Sequence, residues 1–317
     1  MRARLIVNPR SGADRGPVLL PLVNERLRRF VDDLDITITT DAADAERAAA
    51  RAIEERCDAV YVAGGDGTLN TTLRVLAREG VPPIPIGVIP FGTGNDFVKA
   101  LGLDEDPERA LDAIVERLVV DVDIGMLNDR PFANTSAGGF IADVSATMTE
   151  ALKDATGKLA FLIGGARALF GTEPFSARLT IADASGPAAG TESVDVQMFA
   201  VCNSGFIGGG YVLAPDARLD DGLLDVLVVP RMSMLEFVGV LQRIASGSDP
   251  AHPGVRRFRT SAFDLDFSRR VRVNTDGELF EAGQCRYRVR RAALPFFCGR
   301  QPHTLAKPRE WHLTSHA

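Results

Sequence analysis

The chain has 317 residues, 45% of them hydrophobic and 25% charged, with a formal net charge of −6. That balance describes a globular, core-forming protein with room for two domains, and the acidic total excludes a global field that would attract nucleic acid. Four separated cysteines, Cys57, Cys202, Cys285 and Cys298, form no CxxC pair, which argues against a disulfide framework or zinc site and for reduced thiols in the cytoplasm.

The opening "MRARLIVNPRSG" turns polar too soon for a signal peptide, and no apolar run approaches the roughly 20 residues that cross a bilayer. A soluble chain is expected, with any membrane contact peripheral. In chain order, Ala3–Pro9 reads as a buried strand, and apolar residues from Leu19 to Phe30 recur at helical spacing. Asp35–Thr40 reads as a second strand, Asp44–Arg56 as an alanine-rich helix, Asp58–Gly65 as a third strand, and a helix begins near Thr68. Pro85–Pro90 is the fourth strand. Such alternation predicts an α/β domain with a mostly parallel sheet.

After Val119–Gly125 the pattern changes to alternating segments with glycine-rich connections: Ser176–Ala182, Asp195–Val201, Phe263–Phe267, Val271–Gly277 and Cys285–Arg290. These predict a β-rich, sandwich-like second domain. Helical patterns interrupt it at Lys158–Phe170 and Met234–Ser246, and Ala182–Ser193 reads as a surface loop. The expected division is residues 1–124 for the first domain, 125–297 for the second, and 298–317 for a polar tail. The tail reads as loosely held, or as packing back on the first domain. Three of the four histidines lie in it, which leaves a histidine-centred hydrolase hard to build.

Three small-residue loops follow strands: "NPRSG" (Asn8–Gly12), "GGDGTLN" (Gly64–Asn70) and "PFGTGNDF" (Pro90–Phe97). In a parallel sheet the carboxyl ends of the strands share one edge, so these loops converge on one crevice, with Thr40 and Asp41 at the same edge. Glycines let backbone amides approach a phosphate, and a helix N-terminus favours an anion. Asp66 would repel phosphate directly. It reads either as a helix cap or as a group that meets phosphate through Mg²⁺. No GxxxxGK[ST] is present, so phosphate contact falls to backbone amides with Ser11, Thr68, Thr93 and Asn95.

In this order the three motifs resemble the diacylglycerol kinase catalytic family, in particular the bacterial soluble lipid kinases related to sphingosine and ceramide kinases. "SAGGFIADV" (Ser136–Val144), "GGGYVLAPDARLDDGLLDVLVV" (Gly208–Val229) and "TDGE" (Thr275–Glu278) extend the likeness through Phe297. Thr71 stands where family members commonly carry glutamate. The resemblance implies an ATP- and Mg²⁺-dependent kinase acting on a lipid hydroxyl in a cleft between the domains. The nucleotide would lie against Asn8, Pro9, Arg10, Ser11 and Gly12, then Thr40, then Gly64, Gly65, Asp66, Gly67, Thr68 and Asn70, and lastly Gly92, Thr93, Gly94, Asn95 and Asp96. An NAD kinase-like enzyme and a nonenzymatic nucleotide- or lipid-binding regulator are the alternatives.

Two acidic blocks of the second region have both a plain and a functional reading. Asp220-Asp221-Gly222 reads as a β-turn; the resemblance implies a Mg²⁺ loop held by the Asp221 carboxylate with the carbonyls of Arg218 and Leu223. Asp276-Gly277 is a strong hairpin signal, and the resemblance places a general base in this "DGE". Asp276 and Glu278 are both candidates, on alternating positions that would share a face, with Asp66 beside the metal. Gly157–Gly171 reads as core or as an interfacial helix. Arginine clusters at Arg256–Arg259, Arg269–Arg272 and Arg288–Arg291 suggest a locally positive face for a lipid surface.

Overall fold

The computed structural model describes residues 1–12, 16–92, 94–147, 175–181, 190–207, 211–246 and 252–311. The Lys158–Phe170 helix, the interfacial reading of Gly157–Gly171, residues 182–189 of the expected loop, and Thr93 lie outside them.

The first half alternates β1 (Arg2–Val7), α1 (Gly16–Leu27), β2 (Asp33–Ile38), α2 (Ala42–Glu54), β3 (Ala59–Gly64), α3 (Asp66–Leu76) and β4 (Ile86–Pro90). The strands run parallel in the order β4-β3-β1-β2. β3 and β4 are buried along their whole length, which is why their sequences are continuously apolar instead of alternating. α2 presents Ala45, Ala48, Ala49 and Ala52 to the sheet, a stripe spaced for one helix face. Its N-cap Asp41 accepts from Asp44 N at 2.9 Å, a contact that stabilises a helix start by about 1 kcal/mol.

The short α4 (Asp96–Ala100) and α5 (Pro107–Val115) lead into β5 (Leu118–Leu127), β6 (Arg130–Phe132), β7 (Thr135–Gly139) and α6 (Phe140–Thr147). β8 (Phe175–Ile181), β9 (Gly190–Cys202), β10 (Phe206–Ile207), β11 (Tyr211–Val212), β12 (Leu224–Pro230), α7 (Met234–Ala245) and β13 (Arg256–Thr260) follow. The chain then runs through β14 (Ala262–Thr275), β15 (Glu278–Phe297) and β16 (Arg309–Glu310). Pairing among β7, β8, β9, β12, β13, β14 and β15 is antiparallel. Gly190–Ser193, expected in a loop, are the start of β9. The segments Phe263–Phe267 and Val271–Gly277, read as two strands, are one: β14 carries an irregularity between Asp266 and Val271, and a bulge breaks the alternation without ending the strand.

β15 decides how the halves meet. Its first part pairs with β14, its middle and end pair with β5, and Phe296 pairs in parallel with Ile86 of β4. One 20-residue strand thus carries the second half's sheet into the first half's. The described part of the tail, residues 298–311, is held, not loose. Gly299 N and His303 N donate to Leu101 O and Ala100 O at 3.0 and 2.8 Å, β16 pairs with β5, and Trp311 packs edge-on to Phe297. Its polar composition concealed backbone pairing, which no side chain reports.

Candidate active site

The loops after β1, β3 and β4 lie backbone against backbone. A Cβ on Gly12, where φ is +69°, would sit 1.7 Å from Phe91 O, and one on Gly92 would sit 2.7 Å from Gly65 Cα. Polar side chains lock the same contact. Gly65 N donates to Ser11 Oγ at 3.2 Å, Asn8 Nδ2 donates to Thr68 Oγ1 at 3.1 Å, and Asn95 Nδ2 donates to Gly92 O at 2.7 Å. Pro9 backs the cradle through Gly16, whose Cβ would fall 2.5 Å from Pro9 Cα. Gly67 is the exception: it is exposed, and a Cβ there would meet nothing within 4 Å. It opens the first turn of α3, where amides lack intrahelical partners. Arg10, in the loop after β1, is exposed, and its backbone N–H donates to Asn8 Oδ1 at 3.1 Å. Lys99 Nζ, which the sequence reading did not single out, donates to Gly94 O at 3.1 Å and braces the loop after β4. Thr40 stands at the same sheet edge but turns both its amide and hydroxyl to Asp44 Oδ2, at 2.8 and 2.7 Å.

Asp66 does not cap its own helix. The N-cap of α3 is Gly65, and the Asp66 carboxylate instead accepts from Asp96 N and Phe97 N, at 3.3 and 3.5 Å, at the start of α4. Asn95 reaches this turn with a left-handed φ of +47°, a conformation that asparagine tolerates. Burial, and then the neighbouring Asp96 carboxylate, push the Asp66 pKa up. One turn along α3, the buried Asn70 has an Oδ1 with no hydrogen-bond partner among the described residues. Thr71 is buried too, and its hydroxyl donates back to Gly67 O at 2.9 Å. A glutamate there would bring a charge into a buried position.

Asp276 arrives from the other half of the chain. It sits in the β14–β15 turn with φ +46°, so Asp276 and Glu278 are not at alternating positions of one strand, and the expectation of a shared face is corrected. The Asp276 carboxylate turns back on the β6–β7 connection, accepting from Ala133 N at 2.6 Å, Asn134 N at 3.1 Å and Thr135 N at 2.8 Å. Burial pushes its pKa up to about 7, with the Asp66 charge adding to the rise and the three amides opposing it. Glu278 points elsewhere, into an ion pair with Arg74 of α3, and is 38% exposed.

Asn134 joins the two acids, and the sequence reading missed it. Its backbone N–H serves Asp276, while its side-chain Nδ2 donates to Asp66 Oδ1 at 3.4 Å. Ser204 Oγ donates to Asn134 Oδ1 at 2.8 Å and so sets which way the amide faces. Asn203 Nδ2 holds the Asp123 and Ala133 carbonyls, both at 2.9 Å. No motif marks these residues in sequence. The one available signal was an unexplained run of polar residues, Asn134 to Ser136, running into a buried strand.

The acidic block brings Arg218, Asp221 and Leu223 into one turn, with its carboxylates already engaged. Asp221 Oδ1 accepts from Leu223 N at 2.9 Å, and Oδ2 pairs with Arg259. Asp220 accepts from Leu305 N and Ala306 N of the tail at 2.6 and 2.7 Å. Among the described residues no group of three or more His, Cys, Asp or Glu side chains is arranged to hold a metal ion. The arginine clusters are also partnered: Arg256 with Glu192, Arg270 with Glu281, Arg272 with Asp143, and Arg288 with Asp264. The positive face is therefore weaker than the sequence suggested. No described helix is long and apolar enough to cross a membrane.

Comparison with known proteins identifies both halves of the chain. Residues 2–127 match the diacylglycerol kinase catalytic domain, and residues 136–298 match the YegS C-terminal NAD kinase beta sandwich-like domain. A Staphylococcus carnosus diacylglycerol kinase is 34% identical over 277 residues, 87% of this chain and 88% of that protein. Its Staphylococcus saprophyticus counterpart is 32% identical with the same coverage. A crystal structure of a diacylglycerol kinase from Bacillus anthracis str. Sterne superposes with a TM-score of 0.74 at 21% identity, covering 94% of this chain and 97% of that one. Another structure from that strain gives 0.79 at 23% identity over 94% and 95% of the two chains, a likeness of fold. With the glycine cradle, the acids from both halves and these relatives in agreement, the chain belongs to the diacylglycerol kinase catalytic domain family, its catalytic domain joined to a YegS-type β sandwich-like domain.

Proposed function

We propose that this protein is an ATP-dependent kinase that phosphorylates the hydroxyl of diacylglycerol or a closely related amphipathic alcohol at a membrane surface. The observation that carries the reading is the meeting of two halves at Asn134. One side chain holds Asp66, beside the glycine cradle, and its own amide holds Asp276, from the β14–β15 turn. The first 124 residues would bind the nucleotide, residues 125–297 would supply the base and acceptor pocket, and the tail would brace the first half.

The cradle fits a triphosphate, because Gly67 leaves open the space a side chain would fill and the α3 amides face an anion there. When bound, ATP supplies the γ-phosphoryl group and Mg²⁺ spreads its charge. Asp66 would hold the metal side of the site: burial, and then the Asp96 charge, raise its pKa, and a cation offsets both. Backbone amides of the three loops would stabilise charge on the transferred group.

Glu278 is our choice for the group that takes the acceptor's proton. Three amides occupy the Asp276 oxygens and leave one of about four lone-pair sites. Asp276 would instead position the β6–β7 connection. Glu278, partly exposed, has Arg74 to exchange for a lipid hydroxyl. The pKa of about 7 at Asp276 favours the reverse assignment, and the variants decide. With labelled ATP, Mg²⁺ and diacylglycerol in mixed micelles, Glu278→Gln should lose about 100-fold or more in kcat while ATP affinity and Tm hold. Turnover near wild type in Glu278→Gln would move the base to Asp276, and no lipid product from any acceptor, with NAD phosphorylated instead, would replace the lipid kinase reading.

A further inference from the structure

The Asp220–Leu223 turn that leads into β12 is held by protein donors. Asp123, almost fully buried, accepts from Gly222 N and Ala292 N, both at 2.6 Å. Asp220 is taken by the tail amides of Leu305 and Ala306. Beside them stand Asp221 and Asp225, whose side chains are 8% and 12% exposed. Both are met by one guanidinium. Arg259 lies directly across from Asp225 in the β12–β13 ladder, reaches it through Nε at 3.4 Å, and pairs with Asp221 through Nη2. Two nearly buried carboxylates side by side repel one another, and a positive charge between them offsets that repulsion.

We propose that Arg259 stands in this protein where a divalent cation would otherwise neutralise the Asp220–Leu223 turn, so that the folded second half requires no structural metal. The donor set disfavours an ion in any case: Asp221 offers one carboxylate with both oxygens engaged, whereas Mg²⁺ demands an ordered octahedron of oxygens. The guanidinium's planar fork serves two carboxylates from a fixed strand position, which a lysine would not do. Magnesium dependence of catalysis would then come from the nucleotide site alone.

The test uses the full chain without nucleotide, so that it does not depend on the kinase reading. Tm is measured by calorimetry in EDTA and in rising Mg²⁺ or Ca²⁺. The wild type should show the same Tm throughout. Arg259→Gln should melt roughly 5 °C lower in EDTA and regain stability with the divalent ion, because the freed Asp225 carboxylate, next to Asp221, borders a cavity of about 200 Å³ that admits water-ligated metal. The double variant Arg259→Gln/Asp221→Asn should not regain it. A wild-type Tm that climbs to a plateau with Mg²⁺, with the rise abolished by Asp221→Asn, would overturn the proposal. So would an Arg259→Gln protein as stable as wild type in EDTA. The wild-type and Asp221→Asn titrations decide the matter even where Arg259→Gln does not fold.

Discussion

Gly67→Ala separates folding from nucleotide binding more cleanly than any other single change. The added Cβ would meet no protein atom within 4 Å, and Gly67 has no left-handed φ that alanine would strain. Alanine in place of glycine in a helix stabilises it by about 0.5–1 kcal/mol, so Tm should stay level or rise by about 1–3 °C. The methyl group would project into the space assigned to phosphate and force the ligand off the α3 amides. Losing one charge-assisted hydrogen bond costs about 1.5–3 kcal/mol, which weakens ATP binding roughly 10- to 100-fold. Isothermal titration with Mg·ATP reads the affinity, and calorimetric melting reads the fold. Gly92→Ala is the matched control, since its Cβ would lie 2.7 Å from Gly65 Cα; it should lose stability and binding together. Wild-type ATP affinity in Gly67→Ala would refute the placement of phosphate at this helix start.

Asp66→Asn keeps one oxygen, enough for one of the two α4 amides, and should lower turnover by at least about 100-fold with a small loss in Tm; equal turnover would remove Asp66 from the reaction. Ser204→Ala frees the Asn134 amide to flip, so kcat should fall about 3- to 10-fold while ATP affinity holds, with Ser204→Thr restoring the rate. Equal rates in Ser204→Ala would show that the hydroxyl is packing alone. Activity and stability should run in opposite directions with pH. Asp276, raised from 3.8 to about 7 by burial, contributes stability fully below about pH 4 and loses it as pH climbs to about 7. Turnover that needs Asp66 ionised should rise with pH above the ordinary carboxylate range, since burial and then the Asp96 charge raise its pKa. Asp276→Asn should flatten its share of the stability change, and an unaltered Tm–pH curve in that variant would contradict the buried-carboxyl assignment.

Much of the first half was legible because its signals are local. The runs around Leu5, Val62 and Val88 are apolar on both faces, the alanine stripe of α2 has one helical period, and each of the three loops is marked by small residues at a strand's end. A parallel sheet aligns strand ends by its topology, so the meeting of those loops could be reasoned without coordinates. Tertiary structure decided the rest. Asp276 and Glu278 are two residues apart, yet a left-handed turn sends one to Asp66 and Asn134 and the other to Arg74. Arg259 resembles any solvated strand arginine until the β12–β13 register sets it against Asp225. Asn134 and Ser204, 70 residues apart, acquire a role only because β7 and β9 pair side by side. Periodicity and composition record how each segment meets solvent and core; which polar group faces which is settled by strand register and by distant backbone amides, and neither leaves a mark on the local sequence.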